Sequence, residues 1–249
     1  MVTFWRHVNI VIRTADIIIE VLDARNIYES RNIEIERKVK KLRKKILYVI
    51  NKCDLADKVE SERWKAKLKP SVFISSKDKL GTTILKKKLL EMSRGKEVVV
   101  GVLGYPNVGK SSLINALSGR GAAKTSSESG FTKGVQKVRV DHKILLIDTP
   151  GVLPDKEKSE FKHSKIGAIS YSKLKDPESI ALEFIEENKD LVVEHYGLEI
   201  EETDEAEEIL EKLAFKLNRL RKGNNADLEA TSRLLLKDWQ TGKLNKKLD

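Results

Sequence analysis

The sequence predicts an α/β fold, a mostly parallel sheet covered on both faces, followed by an all-helical C-terminal region. Three observations carry this. Short β-branched runs (Ile17–Leu22, Ile46–Ile50, Val72–Ile74 and the run from Val98) alternate with segments of helical periodicity. A glycine-rich turn, Gly104 to Ser111, stands between one such run and a helix. Beyond Ser164 the strand signals stop and only helical patterns remain.

In order, residues 3–14 read as a short helix and Ile17–Leu22 as a buried strand ending at Asp23-Ala24-Arg25. From Ile33 to Lys45 a helix turns Ile35, Val39, Leu42 and Ile46 inward, and its remainder is basic. That charge run is either a solvated face or an RNA contact. Strand Ile46–Ile50 delivers Asn51-Lys52-Cys53-Asp54. A helix around Val59–Leu68 precedes strand Val72–Ile74, which leads into Ser75-Ser76-Lys77. A helix near Thr83–Met92, the strand from Val98, the glycine-rich turn and a helix over Ser112–Leu117 follow.

Next come a polar segment, Lys124–Lys133, and strands Val135–Val140 and Lys143–Ile147, the last ending at Asp148-Thr149-Pro150-Gly151. A polar hinge, Pro154–Ser164, divides a sheet domain, 1–158, from a helical domain, 159–249. The latter reads as helices near Pro177–Asn188, from Thr203 or Asp204 through Leu220 with Gly223 as its stop, and near Asp227–Trp239.

Composition bounds the function. Of 249 residues 40% are hydrophobic and 35% charged, so a sizeable core and a charged surface coexist. No apolar run spans a membrane, and Glu20 interrupts the longest candidate. Without a signal peptide the expected compartment is the cytoplasm. The single cysteine, Cys53, excludes an internal disulfide and a cysteine metal cluster. A net charge of +10 favours a polyanionic partner.

The turn Gly104-x-x-x-x-Gly109-Lys110-Ser111 has the spacing of a phosphate-binding loop in the strand–turn–helix context that motif needs. Glycines let backbone N–H groups approach phosphate oxygens, and the following helix presents its N-terminus to the anion. Asn107, Val108, Gly109, Lys110, Ser111 and Ser112 thus form the candidate cradle, with Lys110 on the β- and γ-phosphates and Ser111 on Mg²⁺.

At the end of its strand, Asp54 can accept from guanine N1–H and the exocyclic amine, which adenine cannot match. Asn51 and Lys52 would brace that loop and cover the base, and Ser75, Ser76 and Lys77 suit a further base contact. Asp148 can hold Mg²⁺ through water, the Gly151 N–H can sense the γ-phosphate, and Thr132 is the candidate second Mg²⁺ ligand. An ordinary Asp-Pro-Gly turn competes with the reading of 148–151. The base-reading elements precede the phosphate loop, the reverse of an ordinary small GTPase. One sheet accommodates both orders if the chain is circularly permuted, since the original ends lie near each other.

With NKCD, SSK, GYPNVGKSS, GFT and DTPG in this order (G4-G5-G1-G2-G3), the chain resembles the circularly permuted GTPases of large-ribosomal-subunit assembly, the YlqF/RbgA type and its archaeal and eukaryotic relatives. Asp23-Ala24-Arg25 with Ser30-Arg31-Asn32, and the ending Leu236 to Lys243, are similar to family signatures. The resemblance implies GTP hydrolysis coupled to ribosomal RNA, with the large subunit or its precursor as partner; the basic charge and the lack of an anchor argue against a membrane, and the expected state is a monomer. The competing function is a guanine-nucleotide-dependent RNA-binding module with incidental hydrolysis.

Val152 stands where Ras-like enzymes carry the water-orienting glutamine, a substitution the family shares, and His7 lies too close to Asp23 to supply the family's bacterial histidine. The Pro106-Asn107-x-Gly109-Lys110-Ser111 pattern resembles that of K⁺-activated GTPases, with the Asn107 carbonyl as the ion's ligand. From Lys212 onward ten Lys/Arg face four acidic residues, a charge suited to RNA phosphates.

Overall fold

The structure, a computed structural model, describes residues 2–119, 136–149, 151, 160–165 and 167–244. Successive side chains of a strand point to opposite faces, and Ile17, Ile18, Ile19, Val21 and Leu22 of β1 (Ile17–Asp23) are all buried, so both faces of the sheet are covered. Around β1 lie β2 (Lys45–Asn51), β3 (Ser71–Phe73), β4 (Val98–Leu103), β5 (Gln136–Arg139) and β6 (Ile144–Asp148). Their order is β3-β2-β1-β4-β6-β5, parallel throughout except for β5 against β6. Register places Asp23 beside Asn51 and Val102 beside Asp148. The loops leaving β1, β2, β4 and β6 therefore emerge along one edge, where α/β sheets bind ligands.

On one face α1 (Val2–Thr14) and α2 (Ile33–Lys41) bury Trp5, Val8, Ile12, Ile35 and Val39 against Ile18. The approach is close: a Cβ on Gly101 of β4 would lie 2.5 Å from Val11 Cγ1. α3 (Lys58–Lys67) contributes Trp64 to a second cluster with Leu22, Ile27, Tyr48 and Ile50. α4 (Thr82–Met92) buries Leu85 and Leu89, and α5 (Lys110–Ser118) buries Leu113, Ile114 and Leu117.

The chain divides into two compact units, Met1–Glu157 and Lys158–Asp249. The second contains α6 (Glu160–Lys165), α7 (Pro177–Glu187), α8 (Lys189–Tyr196), α9 (Ala206–Lys216) and α10 (Leu228–Thr241). Asp176 and Asp227 cap α7 and α10 by accepting from the Ser179 and Ala230 amides. The core gathers Ile180, Phe184, Ile209, Leu213, Leu235 and Trp239, with the Phe184 and Trp239 ring centroids 5.1 Å apart. α10 also fastens residues 164–174: the Trp239 indole N–H donates to Lys165 O, and the Gln240 amide donates to Ser164 O and Ile169 O. Arg233 donates to Tyr171 O. Among the described residues no helix is long and apolar enough to cross a membrane.

Three local differences from the sequence reading have identifiable causes. α2 ends at Lys41, not Lys45: Leu42 is exposed, Arg43 turns left-handed (φ 51°), and Ile46 belongs to β2. α9 ends at Lys216 because Asn218 is left-handed (φ 52°). Leu220 instead enters a small hairpin, β7 (Leu220–Arg221) with β8 (Asn225–Ala226), whose turn contains Gly223 and Asn224 at positive φ. This hairpin interrupts the otherwise helical unit. The sequence reading has no helix at α8, and it gives as hinge all but the last of the residues that form α6 (Glu160–Lys165). The polar segment 124–133 and most of the hinge, 154–159, lie outside the described residues.

Candidate nucleotide site

The glycine-rich turn leaves β4 at Gly104, whose φ of 143° and close approach (a Cβ would sit 2.6 Å from Val21 O) require glycine. Asn107 is left-handed at φ 59°, and α5 begins at Lys110. The Lys110 ammonium is buried inside the turn, donating to Tyr105 O at 2.6 Å and Gly104 O at 3.1 Å. Burial pulls its pKa down to about 8 against the opposing charge of Asp148. The loop thus holds a desolvated cation at a helix N-terminus, an arrangement suited to phosphate oxygens. Val108 is buried and Ser112 exposed.

Asn51, at the end of β2, joins three loops. Its amide nitrogen donates to Val108 O at 2.9 Å, and its amide oxygen accepts from Ser76 N at 3.1 Å. Gly109 leaves room for this bridge, since a Cβ there would collide with the Asn51 amide. Lys52 follows in the left-handed region (φ 62°) and donates to Asp23 Oδ2 at 2.7 Å. Asp54 is half-buried in the 3₁₀ turn Cys53–Leu55. Cys53 N donates to Ile74 O at 3.1 Å, tying that turn to the chain after β3. There Ser75 donates to Asp78 at 2.8 Å, the Ser76 hydroxyl is buried with no partner among the described residues, and Lys77 is exposed.

The end of β6 faces the phosphate loop. Ser111 Oγ donates to Asp148 Oδ2 at 3.2 Å, while Asp148 Oδ1 is buried with no partner among the described residues. Burial pushes the Asp148 carboxyl up, opposed by Lys110 and Ser111. A carboxylate oxygen left without a donor beside a hydroxyl fits a hard cation such as Mg²⁺. Among the described residues no group of three His, Cys, Asp or Glu could hold a metal, so such an ion would need further oxygen ligands. Thr149 Oγ1 donates to Val102 O at 2.8 Å, and a Cβ on Gly151 would sit 2.5 Å from Pro106 Cα, so that backbone lies against the phosphate loop. Thr132, Pro150 and Val152 lie outside the described residues.

The structure adds polar groups for which the sequence reading had no role. Asp23 holds Arg25 and Lys52, and Ser30 Oγ accepts from Asp23 N. Glu20 is fully buried and accepts from Asn32 N at 2.6 Å. Their signal was two acids inside the apolar run Ile17–Asp23.

A family model described as 50S ribosome-binding GTPase matches residues 99–218, and one described as RsgA GTPase matches residues 15–154, more than half of the chain. An uncharacterized GTP-binding protein of Methanocaldococcus jannaschii is 43% identical over 96% of this chain and 65% of its own length. The guanine nucleotide-binding protein-like 3 homologue of Caenorhabditis elegans is 31% identical over 94% of this chain and 47% of its own. The chain therefore spans about half to two thirds of the curated relatives it matches. GNP-bound YlqF from T. maritima superimposes with a TM-score of 0.66 over 98% of this chain and 95% of that one, at 24% identity, a likeness of fold. In this sheet the loops after β2 and β3 precede the phosphate loop after β4, and with the matched models this order places the chain in the family of circularly permuted GTPases.

Proposed function

We propose that the protein binds GTP along this edge, hydrolyses it to GDP and phosphate, and uses the change of state to engage and leave the large ribosomal subunit or its precursor. The observation that carries the nucleotide reading is the Asn51 bridge, which fixes the Asn51–Asp54 loop, the Ser75–Lys77 loop and the phosphate loop relative to one another. Asp54 accepts from guanine N1–H and its amine, with Ser76 beside the base. Val108, Gly109 and the first amides of α5 cradle the phosphates, and Lys110 supplies the positive charge phosphoryl transfer needs. Ser111 and Asp148, with Thr132, hold Mg²⁺, which when bound draws charge from the phosphate oxygens. The Gly151 N–H reports the γ-phosphate, and the Asn107 carbonyl holds a K⁺ ion in place of an arginine finger.

Support for the ribosomal role is the charge of +10, the name of the matched 50S ribosome-binding model, and a relative named nucleolar GTP-binding protein 2. The second reading, an RNA-binding module with incidental hydrolysis, is favoured by valine at the water-orienting position. Single-turnover hydrolysis with and without large subunits separates the two. Stimulation by the subunit supports the switch, and equal rates support the module. Asp54→Asn tests the base site: affinity should move from GTP to xanthosine triphosphate, and unchanged GTP affinity would refute the assignment.

A further inference from the structure

Asp23 ends β1 opposite Asn51, with its carboxylate fully buried. It holds two cations at once. Arg25 donates through Nε to Oδ1 at 3.0 Å and through Nη2 to Oδ2 at 2.7 Å, and Lys52 donates to the same Oδ2 at 2.7 Å. Its backbone is fixed as well, with Asp23 N on Ser30 Oγ at 3.0 Å and Arg25 N on Asp23 Oδ1 at 3.1 Å. Burial alone would push this carboxyl up. Arg25 and Lys52 more than reverse that and hold it well below the usual carboxylate range.

Both cations also lie in the field of Asp54, which raises the proton affinity of each. The turn Ala24–Asn26 packs against the turn Cys53–Leu55, and Lys52 stands two residues before Asp54 in sequence. An arginine fork or an ammonium released beside a carboxylate forms a charge-assisted pair with it. Such a pair would occupy the oxygens that a base edge requires.

We infer that Asp23 is the positioning residue of the base site: by holding Arg25 and Lys52 it leaves the Asp54 carboxylate available to guanine and so sets base selectivity. This rests on the reading of Asp54 as the base acceptor. Asp23 does not touch the base. It acts through two neighbours, and this explains why a fully buried aspartate ends a strand that is otherwise apolar apart from Glu20.

The test uses the full chain and two probes, guanosine diphosphate and inosine diphosphate, which lacks the 2-amino group. Asp23→Asn should weaken guanosine diphosphate about tenfold while changing inosine diphosphate much less, so that the ratio of the two dissociation constants collapses. Adding Arg25→Gln should recover part of the ratio, because one of the two competing cations is gone. Equal weakening of both probes by Asp23→Asn, or no recovery in the double variant, overturns the inference. Where Asp23→Asn does not fold, Asp23→Ser, which also removes the charge, decides in its place: a collapsed ratio supports the inference and an unchanged one overturns it. Asp54→Asn with xanthosine diphosphate runs in parallel. If that variant does not gain xanthosine, the base-site reading fails; if it does and the Asp23 ratio is unchanged, only the present inference fails.

Discussion

Replacing Glu20 by glutamine should remove a pH-dependent loss of stability that the native chain carries. Glu20 lies in β1, fully buried, with Oε1 accepting from Asn32 N and Oε2 buried without a partner among the described residues. Burial, reinforced by Glu36 and opposed by the Asn32 amide, pushes its pKa from 4.5 to about 8. In the unfolded chain it titrates near 4.5. Between these values the native state keeps a proton that the unfolded state has released, so stability falls as pH rises. At 1.36 kcal/mol per pH unit, the native chain should lose roughly 4 kcal/mol between pH 5 and pH 8 on this account. Glutamine keeps the acceptor for Asn32 N and cannot ionise. At pH 5 both side chains are largely neutral and leave one polar group unpaired, so the variant should differ little there. The assay is denaturant unfolding of both proteins at pH 5, 6.5 and 8, followed by far-ultraviolet circular dichroism. The curves should diverge with pH in favour of Glu20→Gln, and parallel profiles would refute the argument from burial.

The opposite sign applies at Asp23, whose native pKa is depressed. Its pairing contributes stability that is present above the ordinary aspartate range and lost as pH falls, so Asp23→Asn should flatten the acid limb of the unfolding midpoint between pH 5 and pH 3. Gly151→Ala places a Cβ 2.5 Å from Pro106 Cα and must displace the phosphate loop or its own strand end; nucleotide affinity, read with a fluorescent GDP analogue, should fall by about tenfold or more. Hydrolysis should run faster in K⁺ than in Na⁺ at equal ionic strength, by about tenfold or more if the ion replaces an arginine finger, and Asn107→Ala should abolish the difference. Arg219, Arg221 and Lys222 are exposed at the hairpin, and changing all three to glutamate should weaken association with large subunits and reduce its salt dependence.

How far the sequence could be read depended on whether the information was local. The phosphate turn is local: spacing, glycines and flanking strand sufficed to locate Gly104–Ser111 between β4 and α5. Asn51 was recognisable as part of a motif, but its partners are not, since Ser76 and Val108 lie 25 and 57 residues away and meet it only through sheet register. Asp23 was visible as a polar residue in an apolar strand, while the capture of Lys52, 29 residues on, required the β1–β2 pairing. In the second unit, Leu217 and Leu220 continue a helical spacing past the point where Asn218 turns left-handed, so periodicity carried α9 too far and hid the hairpin. α8 buries Leu191 and Val192, too few apolar residues for a period to register.

The strand order has a consequence for how the chain is made. β1, β2 and β3 come first from the ribosome and occupy one side of the sheet; β4, β5 and β6 come later and occupy the other. The two halves meet along a single seam, β1 against β4, from Ile17↔Val100 to Glu20↔Leu103. No later strand enters the first half; within the second half β6 inserts between the earlier β4 and β5. During synthesis the first half can order itself around β1 while its free edge, the backbone amides and carbonyls of Ile17 to Glu20, waits for β4. Closing that seam brings Val108 to Asn51, so the loop after β2 and the turn after β4 are joined in the same event that pairs β1 with β4.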